Sequence, residues 1–294
     1  MEEVKEYTLE NGIKYVTITS IPRLDIFKTF DCGQCFRFDR VSHFENNCEF
    51  GGVAFGKYVV FAQNKADELI IYNSTANDYF NIWRSFLSLD VDYDNIDATI
   101  SKATKSEHME NAIKCSQGIR ILRQDSWEAV CSFIISQNNN IPRIKKIISS
   151  LCEKYGEKIT FLDKAYYSFP TYEALSRATE EEIFALKTGF RAKYIVDACA
   201  KITSNTVSLD RIKGEVDFEK CVSELCLIKG IGLKVASCAL LFGFERTEAF
   251  PIDVWMKRAL EKYFPCGIDL KALGKTAGIA QQYLFYYEKY IQSP

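Results

Sequence analysis

The chain has 294 residues, 47% hydrophobic and 26% charged, with a formal net charge of −2. That balance, at roughly two domains' length, excludes a disordered, collagenous or low-complexity chain. Eleven cysteines are too few for a disulfide scaffold, and the longest uncharged run, 129–142, is too short for a membrane span. The opening MEEVKEYTLE is acidic and lacks the basic-then-apolar order of a secretion signal. The expectation is a soluble intracellular protein with reduced thiols and no membrane partner. The charge is uneven: residues 1–110 carry 11 Lys+Arg against 18 Asp+Glu, and residues 111–294 carry 26 against 21. A second part at +5 is suited to facing phosphates, although scattered surface charge gives the same imbalance.

In chain order, Tyr7–Thr19 holds β-type residues on both sides of Asn11-Gly12, the signal of a hairpin. Cys35–Val41, Cys48–Phe55, Tyr58–Ala62 and Leu69–Tyr72 follow as short strands on short turns, which predicts an antiparallel sheet. Thr75 is placed to cap a helix carrying Tyr79, Phe80, Trp83 and Phe86. From about residue 95 the apolar period becomes helical. Trp127, Val130, Cys131, Ile134 and Ile135 share one face. Asn140 and Pro142 open a helix that ends at Gly156, and Thr179 with Glu182 forms a capping box. Asp217 caps Phe218–Ile228, a turn 229–232 leads into Leu233–Phe244, Asp253 caps Val254–Phe264, and a last helix runs over Leu270–Ile291. The fold class is therefore α+β, with an N-terminal α+β domain (1–115) and an all-α domain (116–294).

The most informative stretch is Leu225–Cys238, in which two helices meet at Gly230-Ile231-Gly232. Glycines permit positive φ and close backbone approach, and the second helix then presents its first N–H groups as a phosphate site. Lys234 lies in that first turn, where the helix dipole disfavours another cation. One reading is a lysine snorkelling to solvent; the other is a lysine nucleophile, which must attack as the neutral amine. Asp253, nineteen residues on, is either an N-cap or a carboxylate that supports positive charge developing on a sugar as its leaving group departs.

Hairpin, lysine and aspartate in this order resemble the helix-hairpin-helix DNA glycosylase superfamily. The segments Leu24–Arg37, Ser136–Arg143, Gly189–Tyr194 and Ala277–Phe285 narrow the resemblance to the 8-oxoguanine DNA glycosylase family. The resemblance implies a TBP-like antiparallel sheet domain followed by a helical glycosylase domain. It implies a bifunctional base-excision enzyme acting on damaged double-stranded DNA. Lys234 would attack the anomeric carbon and form a Schiff base, β-elimination would cut the strand, and Asp253 would support the sugar's positive charge. The carbonyl of Gly33 would accept the hydrogen that distinguishes 8-oxoguanine from guanine. Gln281 would read the pairing edge of the flipped base, with Phe285 and Cys238 on its two faces. Asn138, Arg143 and Arg191 would contact the estranged cytosine, Phe190 would wedge the duplex, and Gly230 and Gly232 would receive backbone phosphate. Lys229, Phe190 and Trp255 depart from the family's usual proline, tyrosine and histidine, which implies a preference for cytosine opposite the lesion that is less strict.

Cys32-x-x-Cys35 lacks a second ligand pair, and His43 and His108 stand apart, so no metal is expected. No phosphate-binding loop of the nucleotide type occurs, so no cofactor is expected. Three rival readings are a glycosylase for another lesion, a non-catalytic DNA-binding protein and a globular protein without a nucleic-acid role. A monomer is expected, because a damaged base is an asymmetric target.

Overall fold

The computed structural model describes residues 2–292. Six strands form one antiparallel sheet in the order β1-β2-β6-β5-β4-β3: β1 (Glu3–Thr8), β2 (Lys14–Thr19), β3 (Phe38–Arg40), β4 (Cys48–Ala54), β5 (Lys57–Gln63) and β6 (Glu68–Tyr72). Alternation decides the two faces. Val16, Ile18, Val59, Phe61, Leu69 and Ile71 point to one side, where Phe30, Trp83 and Phe86 cover them. Val60, Ala62 and Ile70 point to the other. Thr75 caps the helical segment that follows, with both capping-box bonds made to Asp78.

The second face is covered by a hairpin that the sequence pattern did not suggest, β7 (Lys158–Phe161) and β8 (Lys164–Tyr167). Leu162 and Asp163, with φ of 49° and 58°, make its turn. Tyr166 stacks on Tyr58 with ring centroids 3.8 Å apart, and Phe161 lies 4.9 Å from the same ring. This pair of strands is the exception in an otherwise helical second half.

The helical core is built on Ser126–Ser136 and Leu233–Gly243, which pack side by side. Both helices are almost wholly buried apart from the first turn of the second, as expected for central elements. The helices Tyr93–Thr104 and Glu107–Cys115 also enter this core, through Ile100, Met109 and Ala112. Asn140 caps Ile141–Tyr155, with Pro142 in its first turn and Gly156 at its end. Thr179 and Glu182 make both capping-box bonds, and Asp217 caps Phe218–Leu225. The long last helix is interrupted: Gly274 at φ +50° separates Leu270–Leu273 from Ala277–Tyr286. The break follows from the positive φ, which a continuing helix does not allow.

Sheet and helices are joined by buried polar bonds along residues 116–124. Arg120, 1% exposed, donates to the carbonyls of Arg23, Ser88 and Val91 and lies 4.2 Å from the Tyr93 ring centroid. A buried guanidinium without a carboxylate partner is tolerated because its donors are satisfied by backbone.

Candidate active site

The turn between Phe218–Leu225 and Leu233–Gly243 brings Gly230 to φ +79°, as the sequence suggests, and a Cβ there would collide with the Tyr194 ring. Gly232 differs. Its φ is −106°, accessible to any residue, and a Cβ on it would meet nothing within 4 Å. Gly232 is the N-cap, no side chain caps the helix, and Gly232 and Leu233 are exposed. The turn is braced from behind, where Asp197 accepts from the Lys229 N–H at 2.7 Å and from Lys201 Nζ at 2.8 Å.

Lys234, half-buried, projects from that first turn and makes no ion pair within 4 Å among the described residues. Asp253 begins the next helix. Its Oδ1 accepts from the Met256 N–H at 2.8 Å, so the capping reading holds, and one carboxylate oxygen caps the helix. Two cavities meet at these two residues. One is an open groove of about 780 Å3 that runs past Asn138, Gly232 and Trp255. The other is a slot of about 70 Å3 walled by Gly33, Cys238, Gln281 and Phe285. Burial pushes the Cys238 thiol up to about 11, with Lys234 opposing and Asp253 adding to the rise.

The slot's far wall is the loop after Phe30. Gly33 sits at φ +80°, so a side chain there is strained, and no protein donor among the described residues reaches its carbonyl. The loop is fixed from long range. Gln34, 0% exposed, donates Nε2 to the carbonyls of Thr29 (2.9 Å) and Arg120 (2.8 Å), and its Oε1 accepts from the Leu122 N–H at 2.8 Å. Gln124 Nε2 donates to the Gln34 carbonyl at 2.8 Å, and Gln282 Nε2 donates to the Cys32 carbonyl at 3.1 Å. Gln281 is 5% exposed, yet no protein group among the described residues hydrogen-bonds its amide. Gln281 lines the slot. Phe285 is the half-exposed wall; its ring edge lies 3.7 Å from where a Gly33 Cβ would stand.

The remaining expected residues gather at the groove's other end. Asn138 is exposed, with φ +47°. Phe190 is 46% exposed, and its ring is covered on one side by the Arg191 guanidinium at 4.4 Å. Arg143 is exposed and reaches the Lys187 carbonyl at 3.4 Å. Arg191 is placed differently from an open surface contact. It is 2% exposed and donates to the carbonyls of Gln137 (2.9 Å), Asn138 (3.1 Å) and Thr188 (3.1 Å). It holds the Asn138 turn from beneath.

Sequence reading missed Gln34 and Gln282, whose partners lie up to 250 residues away. It also missed Lys289, which continues the four-residue spacing of Gln281 and Phe285 on the same helical path. Among the described residues, no group of three or more His, Cys, Asp or Glu side chains is arranged to hold a metal ion. No helix among them is long and apolar enough to cross a membrane.

Comparison with known proteins places the chain in a family. The N-terminal domain of 8-oxoguanine DNA glycosylases matches residues 17–130, and the HhH-GPD superfamily of base excision DNA repair proteins matches residues 131–273. An N-glycosylase/DNA lyase of Saccharomyces cerevisiae is 32% identical over 262 residues, covering 81% of this chain and 68% of that protein. The crystal structure of the Clostridium acetobutylicum 8-oxoguanine glycosylase/lyase, in complex with double-stranded DNA containing cytosine opposite 8-oxoguanine, superposes with a TM-score of 0.87 at 35% identity over 97% of each chain. A structure of MBOgg1 in complex with a low-affinity DNA ligand gives a TM-score of 0.90 at 36% identity over the whole of both chains. The chain belongs to the 8-oxoguanine DNA glycosylase family, within the HhH-GPD superfamily.

Proposed function

We propose that this protein removes 8-oxoguanine from duplex DNA and then cuts the strand at the resulting site. The observation that carries the reading is the meeting of groove and slot at Lys234 and Asp253. The strand follows the groove, the lesion turns into the slot, and the sugar comes to rest between amine and carboxylate. The amine of Lys234 attacks the anomeric carbon, and the bond to the base breaks with its electron pair leaving on the base. Asp253 faces the positive charge that the sugar ring develops. The sugar opens to a Schiff base on Lys234, and loss of a neighbouring proton expels the 3′ phosphate by β-elimination.

The Gly33 carbonyl separates lesion from guanine. It accepts the ring N–H of 8-oxoguanine, where guanine offers a lone pair instead. An unsatisfied buried acceptor costs about 1–3 kcal/mol, up to roughly a hundredfold in affinity. The rest of the selectivity falls to slot shape and to Gln281 reading the pairing edge, with Phe285 and Cys238 on the base faces. At about 70 Å3 the slot is smaller than the ~150 Å3 cavity that accommodates benzene, so the base enters as a wall moves, and Phe285 is the wall open to solvent. Phe190 wedges the duplex, and the uncapped N–H groups after Gly230-Ile231-Gly232 receive a phosphate. Asn138 and Arg143 contact the estranged cytosine, while Arg191 serves by fixing the Asn138 turn and would reach a base on releasing those carbonyls.

Borohydride trapping on a duplex with 8-oxoguanine opposite cytosine tests the reading. The wild type is expected to give a covalent adduct and Lys234→Gln none. Binding without an adduct in either protein would favour a non-catalytic DNA-binding role.

A further inference from the structure

The slot has a second lysine outside it. Lys289 lies two turns beyond Gln281 and one beyond Phe285, and it does not line the slot. Its Nζ stands over the Phe285 ring at 5.1 Å from the centroid and over the Tyr290 ring at 4.8 Å. It forms no ion pair within 4 Å among the described residues. Burial holds its pKa below the ordinary lysine value, and the groups that pull it back up are Asp253, Asp31 and Cys32. Asp253 and Cys32 line the slot, and Asp31 precedes Cys32 in its loop. Nothing in the chemistry above uses this amine, and a half-buried lysine standing over two aromatic rings is not a solvated surface charge.

We propose that Lys289 is a positioning residue for the departing base, acting through Phe285. An aromatic face carries partial negative charge. A base that leaves with the electron pair of its broken glycosidic bond becomes electron-rich, and a bare phenyl face repels it. A cation held over that ring withdraws π density from it and makes the ring a better neighbour for the anion. The bond that breaks is the one from the anomeric carbon to the base, the bond that forms is to Lys234, and Lys289 exchanges no proton. The inference rests on the excision chemistry proposed above.

The consequence is specific to base release. Once the base has gone, an abasic sugar has nothing stacked on Phe285. The test compares single-turnover base release from an 8-oxoguanine duplex with strand cleavage of a preformed abasic duplex. The full chain is used as wild type, Lys289→Met and Lys289→Arg. Lys289→Met is expected to lower the ratio of the first rate to the second about tenfold. Lys289→Arg, which keeps a cation over the ring, is expected to restore the ratio to within about threefold. An unchanged ratio in Lys289→Met overturns the proposal, as does failure of the arginine to restore it. Equal slowing of both reactions overturns it too, because that marks a structural role or an effect through Asp253. Failure of the excision reading is separately visible, as a wild type that releases no base.

Discussion

Gln34→Met tests how the discriminating loop is held. Methionine keeps the volume of the side chain and removes both polar ends. The amide of Gln34 is the hydrogen-bond partner of the Leu122 N–H and of the Arg120 and Thr29 carbonyls. Thr29 keeps a second, weaker donor in the Cys32 thiol at 3.2 Å. Two backbone groups are therefore stranded inside a site where Gln34 is 0% exposed. Each buried unsatisfied group costs about 1–3 kcal/mol, so with partial relaxation the variant should lose about 3 kcal/mol of stability. Gly33 rides on the same loop, so its carbonyl should lose its aim as well. Urea unfolding followed by tryptophan fluorescence reads the first effect. The ratio of dissociation constants for 8-oxoguanine and guanine duplexes reads the second, and that ratio should shrink. A variant within about 0.5 kcal/mol of wild type would refute the claim that these bonds fix the loop.

Other expectations follow from the same geometry. Gly230→Ala places a side chain at φ +79° and against the Tyr194 ring, and should cost about 2 kcal/mol or more in urea unfolding, whereas Gly232→Ala should cost under about 1 kcal/mol yet weaken DNA binding in a fluorescence-anisotropy titration. Asp253→Asn keeps an N-cap of equal quality while removing the charge, so melting temperature should hold within a few degrees as base release falls by at least tenfold. Glu128, buried beside Arg37 and Asp125, has its carboxyl pushed up to about 7 from 4.5, chiefly by desolvation. The folded state thus holds this proton where the unfolded chain has lost it, so stability falls as pH rises from about 4.5 to about 7. Glu128→Gln should stabilise the protein by up to about 3 kcal/mol at pH 8 and by nothing at pH 4, as measured by denaturant unfolding.

What the sequence made legible was local. The caps at Thr75, Asn140, Thr179, Asp217 and Asp253 all form as read, because a capping residue and its partner lie within three residues of each other. The Gly230 turn is legible for the same reason. Position alone left Lys234 and Asp253 as open readings, and Gly33 and Gln281 were legible only through the resemblance to known glycosylases, since contacts spanning most of the chain bring them to Lys234. The burial of Arg191 was not legible, because nothing nearby in sequence announces the three carbonyls it serves. The β7–β8 hairpin escaped because its strands have four residues each, too short for alternation to stand out between helices. Lys289 escaped because a lone lysine near a chain's end reads as solvated.

The thiol in the slot carries a consequence for durability. An enzyme that repairs oxidised bases works among the oxidants that made them, and thiolates are what those oxidants attack. With its thiol pushed up to about 11, chiefly by burial, Cys238 is held in the thiol form at neutral pH. Cys32, on the opposite lip, is pushed up to about 12 by burial and is more inert still. The exposed Cys226 and Cys266 are the thiols open to solvent, and neither lines the slot.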